Sequence, residues 1–167
     1  MQSTSRRFCP AKPGEGALFF DIIAARCRWF EEKGIPQWGS FYLELFPASF
    51  FEEQARLGQL YLLWEEERLL GGCVLLESDP DHWGEDPTPA CYVHNFATDP
   101  TVSGAGSEIL ERCEQLARQR GKRFLRLDCA ASNPVLNQYY ESRGFAYVCQ
   151  RLLENGCYRG NLRQKAL

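Results

Sequence analysis

A short run of small residues, SGAGS at positions 103–107, follows an apolar segment that ends at Thr98. An amphipathic segment begins within this run, at Gly104. Where a strand turns into a helix, the first backbone N–H groups of the helix have no partner inside it. The helix dipole adds partial positive charge there, so such a turn can bind a diphosphate without basic side chains. Gly104 and Gly106 would let the phosphate approach the backbone. The alternative is an ordinary turn in which Ser103 caps the helix.

Other nucleotide-binding loops do not fit this turn. The dinucleotide fingerprint GxGxxG fails because Ile109 stands where its last glycine would be, and no GxxxxGK[ST] loop occurs in the chain. The turn by itself therefore indicates a phosphate-type ligand without naming it.

The hydrophobic periodicity predicts the elements that position this turn, in the order α α β β β α β α β β. Residues 1–12 are expected to form a flexible tail, residues 13–167 a single domain, and residues 78–89 a polar, proline-rich loop. The fold class is α/β, a mixed and mostly antiparallel central sheet with helices on both faces. Predicted helices span residues 16–33, 48–57, 104–119 and 133–143, and predicted strands span residues 59–64, 69–77, 90–98, 124–129, 145–153 and 158–165.

Composition narrows the class of protein. The 167 residues are 44% apolar and 25% charged, with a net charge of −3, which is ordinary globular usage and argues against a nucleic-acid binder. No export signal precedes the fold and no apolar run could span a bilayer, so we expect a cytoplasmic protein without a membrane partner. Eight cysteines form no CxxC pair and only two histidines occur, so we expect reduced thiols and no metal site.

The second half of the chain resembles the GNAT superfamily of N-acetyltransferases, over about residues 90 to 147. A strand, a proline two residues past it and the glycine turn are followed by NPVLNQYYESRGF at residues 133–145, which fits the pattern N-(six residues)-Y-E-x-x-G-F. The superfamily turn is usually Q/R-x-x-G-x-G/A. Here Ser103 takes the Q/R place and Glu108 the final small position, and a carboxylate near a diphosphate is unfavourable.

The resemblance implies acetyl-CoA as cosubstrate. The backbone of Phe96, Ala97 and Thr98 would pair with the pantetheine arm as an added strand, and Asn133 would hydrogen-bond the same arm. The alternative for Asn133 is an N-cap of its own helix. The amides expected to bind the diphosphate belong to Val102, Ser103, Gly104, Ala105, Gly106 and Ser107.

The resemblance also implies direct acetyl transfer to a primary amine, with a general acid and a general base. Tyr140 matches the superfamily position of the acid, and a phenol and a thiol have similar ordinary pKa values. Its neighbour Tyr139 points elsewhere on the helix and is expected to pack. For the base we propose His94, which shares a strand face with Tyr92 and Phe96. His82, in the predicted loop, is expected to be solvated.

The acceptor amine, whether a small molecule or a peptide, is expected to meet aromatic side chains, and a homodimer is compatible with the superfamily. The alternative reading is a catalytically degenerate CoA-binding module or sensor of the same fold. Aromatic residues more often pack in a core, so packing remains open for every member of the proposed pocket: Trp29, Trp38, Trp83 and Tyr92.

Overall fold

The computed structural model describes residues 5–39 and 41–167, with the side chain of Asn155 excepted. In this part of the chain seven strands form one sheet in the order β1-β2-β3-β4-β5-β7-β6. The strands are β1 (Arg6–Pro10), β2 (Leu60–Glu65), β3 (Arg68–Leu76), β4 (Ala90–Thr98), β5 (Phe124–Ala130), β6 (Ala146–Leu153) and β7 (Tyr158–Ala166). The helices are α1 (Glu15–Lys33), α2 (Tyr42–Leu45), α3 (Ala48–Arg56), α4 (Pro80–Trp83), α5 (Ala105–Gln119) and α6 (Pro134–Ser142).

The predicted mixed, mostly antiparallel sheet is confirmed. The pairs β1–β2, β2–β3, β5–β7 and β6–β7 are antiparallel, whereas β4 and β5 run parallel. The last strand lies between β5 and β6 because a short 3₁₀ turn, Glu154–Gly156, folds β7 back along β6. The other edge of β7, from Gly160 to Ala166, then pairs with the whole of β5.

The chain divides into two compact units, of which the first comprises residues 1–34, 38–75 and 95–112. Its core is aromatic, with Phe19 of α1 packed edge-on against Phe51 of α3 at 5.2 Å between ring centroids. The two helices approach closely at Gly16, where a Cβ would lie 2.5 Å from the Glu52 nitrogen. The Glu52 carboxylate accepts hydrogen bonds from the Gly14 and Ala17 amides, which satisfies donors at the start of α1.

The second unit comprises residues 35–37, 76–94 and 113–167. Here β4 pairs with β5 over Ala90 to Tyr92, opposite Phe124 to Arg126. The ladder therefore stops before His94, the last residue of β4 in this unit. Apolar side chains around the ladder form a buried cluster of Trp83, Ala90, Tyr92, Leu153 and Leu162.

Two predictions about local structure are wrong. Residues 6–10 of the expected tail form β1, because Phe8 can stack on Tyr61 at 5.5 Å and the backbone of β1 pairs with β2. Residues 1–4 lie outside the described part. The expected loop at residues 78–89 contains the short helix α4, which begins at Pro80 because proline suits the first helical turn. Among the described residues, no helix has the length and apolar character needed to cross a bilayer.

Candidate active site

The turn before α5 has a backbone conformation that favours glycine. Gly104 adopts φ +78°, a left-handed backbone that other residues rarely take, and no described atom lies within 4 Å of the place its Cβ would occupy. The first intrahelical bond runs from the Glu108 amide to the Gly104 carbonyl at 3.4 Å. The amides of Ala105 and Gly106 precede that bond, so they stand at the positive end of the helix dipole. Gly104 is exposed.

An aspartate that sequence reasoning missed builds the turn. Asp99 Oδ1 accepts hydrogen bonds from the Thr101 amide at 2.8 Å and from its hydroxyl at 2.7 Å, and Oδ2 pairs with Arg68 at 3.0 Å. Burial opposes the charge, but these hydrogen bonds lower the pKa of the Asp99 carboxyl. The Val102 amide donates to the Asp99 carbonyl at 3.0 Å. Val102 is therefore engaged within the turn, whereas the prediction for it was a bond to diphosphate.

The charge of Glu108, the departure from the superfamily pattern, is neutralised. Its carboxylate accepts from Arg6 of β1 at 3.2 Å and from Arg112 one helical turn later at 3.4 Å. Arg6 also donates to Glu65 at 3.0 Å, and hydrogen bonds to the two carboxylates raise its pKa. A paired carboxylate repels an anion less than a lone one does.

The end of β4 is fixed by an arginine that the sequence did not single out. Arg26 of α1 donates to the Thr98 carbonyl at 3.1 and 2.9 Å and to the Thr98 hydroxyl at 2.8 Å. Its guanidinium lies over the Trp29 ring at 4.9 Å from the centroid. Nearby, Gly71 allows the close approach of β4, since a Cβ there would lie 2.5 Å from the Ala97 carbonyl oxygen. Thr98 is one of the three residues predicted to pair with pantetheine, and its carbonyl already accepts hydrogen bonds from Arg26.

The backbone bends between His94 and Phe96. Asn95 has φ +49°, which is unusual for a residue other than glycine, and its side-chain Nδ2 donates to the Tyr42 hydroxyl at 2.6 Å. A left-handed residue inside a strand redirects the backbone groups that follow it. Phe96 is partly exposed and Ala97 is buried.

Asn133 serves as the N-cap of α6, the alternative that the sequence left open. Its Oδ1 accepts from the Leu136 amide at 3.1 Å, and its Nδ2 donates to Gln37 at 3.2 Å. The side chain is only 3% exposed. A CoA-binding role would therefore have to use these same atoms or the backbone of this residue.

Tyr140 lies on α6 with most of its side chain buried, at 5% exposure. Its ring packs edge-on against Phe145 at 5.8 Å and against Tyr139 at 5.4 Å. Tyr139 in turn lies 3.7 Å beneath the Arg143 guanidinium, which agrees with its expected packing role. Burial of this kind is compatible with packing and with proton donation alike.

His94 belongs to a mostly buried network of ionisable side chains. Its Nε2 lies 2.7 Å from Asp79 Oδ2. An ionised carboxylate only accepts, so Nε2 carries the hydrogen and the Nδ1 lone pair of the neutral ring is left for another proton. Nδ1 lies 3.9 Å from Asp128 Oδ1. Burial raises the pKa of Asp128, and burial together with the Asp128 charge raises that of Tyr158.

The expectation that His82 is solvated is wrong, because α4 directs its side chain towards the same network. Its Nδ1 lies 2.9 Å from Asp79 Oδ1 and its Nε2 lies 3.0 Å from Glu154. Burial opposes a charged ring, yet hydrogen bonds to Asp79 and Glu154 raise the pKa of His82 to about 10. In turn the two histidines lower the pKa of Asp79 far below its ordinary value, against the effect of burial.

Comparison with known proteins identifies the family. The model of the acetyltransferase (GNAT) family matches residues 23–145, which is most of the chain. The chain belongs to the GNAT acetyltransferase family.

Solved structures agree with this assignment. A GNAT acetyltransferase from Listeria monocytogenes 4b F2365 is 27% identical, with a TM-score of 0.79 over 97% of this chain and 95% of that one. The PaiA N-acetyltransferase of Thermoplasma acidophilum, solved with coenzyme A, has a TM-score of 0.71 over 98% and 99% of the two chains, and at 14% identity it supports the fold alone. None of the curated proteins compared with this chain matches it.

The aromatic residues proposed for the acceptor pocket of this acetyltransferase fall into two groups. Trp38 stacks on Tyr42 at 4.4 Å with the rings 12° from parallel and remains partly exposed, as does Trp29. Trp83 and Tyr92 are buried, and the Arg126 guanidinium lies 4.5 Å from the Trp83 centroid. The last two side chains are therefore in packing contacts, the alternative that the sequence analysis kept open.

Two sets of groups could hold a ligand. Backbone amides at the start of α5 suit a diphosphate, as in the CoA that GNAT enzymes use. Asp79, His82 and His94 offer ligand atoms that lie within 4.8 Å of one another, which is a metal-type cluster that sequence spacing did not predict.

Proposed function

We propose that this protein transfers the acetyl group of acetyl-CoA to a primary amine. Membership of the GNAT family supports the acetyltransferase class. The observation that carries the CoA-dependent part is the exposed turn at Gly104, where the amide of the partly exposed Gly106 precedes the first bond of α5. A diphosphate bound there would meet backbone donors and the positive end of the helix dipole.

His94 is the proposed general base. The hydrogen bond from its Nε2 to Asp79 orients the ring and fixes the tautomer, which is the function of an aspartate behind a catalytic histidine. The Nδ1 lone pair would then take the proton that the amine loses, directly or through a water. Asp79 would also stabilise the imidazolium that forms.

Tyr140 is the proposed general acid. Attack of the amine nitrogen on the thioester carbonyl forms a tetrahedral intermediate, and its collapse breaks the C–S bond. The Tyr140 hydroxyl would give its proton to the departing CoA thiolate and regain one from solvent. The products are the acetamide and free CoA.

The test is a panel of primary amines with acetyl-CoA, in which free CoA and the acetylated product are both measured. We expect turnover on at least one amine, with kcat reduced about 10²-fold or more in His94→Ala and in Tyr140→Phe. Unchanged rates in both variants would rule out Tyr140 as the general acid and His94 as the general base. CoA binding without turnover on any amine would instead favour the degenerate sensor.

A further inference from the structure

Three side chains of the second unit bring metal-ligand atoms together. Asp79 Oδ1 lies 2.9 Å from His82 Nδ1, and Asp79 Oδ2 lies 2.7 Å from His94 Nε2. The side chains are only 5%, 19% and 15% exposed, in the order Asp79, His82, His94. We propose that Asp79, His82 and His94 form a binding site for a divalent transition-metal ion.

The backbone sets the spacing of the ligands. Asp79 and His82 are one turn apart because the Trp83 amide donates to the Asp79 carbonyl at 2.9 Å, which closes the first turn of α4. His94 comes from β4, a regular strand until the bend at Asn95. The ligands thus come from two defined segments and not from a loose surface cluster.

Each histidine also has a carboxylate behind it. The nitrogen of His82 that faces away from Asp79 lies 3.0 Å from Glu154, and that of His94 lies 3.9 Å from Asp128. Histidines that bind metals usually donate their second ring N–H to a carboxylate, a carbonyl or a water, which orients the ring and makes it a better ligand. The gap at His94 is wider than a direct hydrogen bond, which spans about 2.7–3.2 Å.

The donor set selects the type of ion. Two imidazole nitrogens and one carboxylate suit Zn²⁺ and its neighbours, whereas Mg²⁺ and Ca²⁺ prefer oxygen ligands. In a tetrahedral site, two ligand atoms each about 2.1 Å from the ion lie about 3.4 Å apart. The ligand atoms here lie within 4.8 Å of one another. The widest pair must therefore close by up to about 1.4 Å, and the two hydrogen-bonded pairs must open by about 0.5–0.7 Å, to form a three-ligand site with a further position for water.

Metal binding has a consequence for catalysis that rests on the proposed function. An ion bound to His94 takes the place of the shared proton between this ring and Asp79. With the ion on Nε2, the neutral ring carries its remaining hydrogen on Nδ1, so the lone pair that the proposed base uses is no longer available. The ion is accordingly an inhibitor of this enzyme.

The binding test uses the full chain after treatment with EDTA and removal of the chelator. Zn²⁺ binding is measured by calorimetry, and Co²⁺ binding by visible absorption. We expect one ion per chain, loss of binding in His82→Gln, and about tenfold weaker binding in Glu154→Gln, which changes only the group behind His82. Glu154→Gln also covers the case in which His82→Gln does not fold.

Cysteines are the main competing ligands, because Cys157 is exposed and a free thiol binds Zn²⁺. Cys157→Ser is therefore the matched control and should leave the affinity unchanged, with no near-ultraviolet thiolate band in the Co²⁺ complex. Absence of binding, binding that survives His82→Gln, or binding lost in Cys157→Ser would each overturn the site.

The activity arm separates this inference from the proposed function. If Zn²⁺ binds with the expected variant pattern and also stops acetyl transfer, both hold. If it binds with that pattern and the rate is unchanged, the metal site holds and the assignment of His94 as base fails. A protein inactive on every amine still gives the binding result, since calorimetry and absorption need no turnover.

Discussion

Asp79 Oδ2 lies 2.7 Å from His94 Nε2, and Asp79 Oδ1 lies 2.9 Å from His82 Nδ1. One buried carboxylate thus joins the single histidine of β4 to the single histidine of α4. Through Asp79, the proline-rich segment at residues 78–89 therefore orients His94, the proposed catalytic base.

Asp79→Asn tests the support of the base. The amide keeps the shape but can donate to His94 Nε2, so the ring would adopt the wrong tautomer. We expect kcat to fall about 10²-fold or more. The Kd of acetyl-CoA should not change, because Asp79 has no part in the proposed cofactor turn. A drop in CoA affinity equal to the drop in kcat would show general unfolding in place of a positioning defect.

The charge on His82 predicts a pH dependence of stability. The pKa of His82 in the folded protein is raised to about 10. The ring therefore stabilises the fold fully below its unfolded pKa of about 6.5, and this contribution disappears as the pH rises through the folded value. His82→Gln in EDTA should cost about 2 kcal/mol at pH 6. The difference in unfolding free energy from wild type should shrink towards pH 10, measured by urea denaturation; a constant difference contradicts a charged His82.

Gly104→Ala tests the turn, and Gly121→Ala is its matched control. Both glycines have a left-handed backbone, with φ of +78° and +69°, and neither has a described atom within 4 Å of its would-be Cβ. Each alanine should therefore cost about 1 kcal/mol of stability. Only Gly104→Ala should also weaken acetyl-CoA binding, measured by calorimetry. Equal CoA affinities in the two variants would argue against diphosphate binding at this turn.

Arg26→Ala tests whether the end of β4 must be fixed for cofactor binding. The variant removes the hydrogen bonds to the Thr98 carbonyl and hydroxyl. We expect acetyl-CoA affinity to fall about tenfold, the effect of roughly 1.4 kcal/mol. Arg28→Ala, an exposed arginine on the same helix, is the control and should bind as wild type does. If both variants bind equally well, Thr98 does not need this support.

The sequence predicted most elements within one or two residues, because helix and strand periods and glycine stops are local signals. Strand β4 was predicted with the same bounds as the structure gives it, residues 90 to 98. Strand β1 was missed, since five residues with charge at Arg6 and Arg7 carry no periodic signal and become a strand only through pairing with β2.

The candidate site was harder to predict than the fold. The Gly104 turn follows from local conformation, but the neutralisation of Glu108 depends on Arg6, which is 102 residues away in sequence. The same holds for His82 and Glu154, which are 72 residues apart. Contacts between distant segments leave no spacing pattern, and therefore the charged network could not be found from motifs.

The most direct test of the account is the melting temperature of the protein with and without acetyl-CoA. At a concentration about 100 times the Kd, binding should stabilise the fold by about 2.7 kcal/mol, which corresponds to a rise of roughly 5–10 °C for a chain of this size. Acetylpantetheine, which lacks the diphosphate, should give a much smaller rise at the same concentration. An unchanged melting temperature at saturating acetyl-CoA would contradict the claim that the turn at Gly104 binds this cosubstrate.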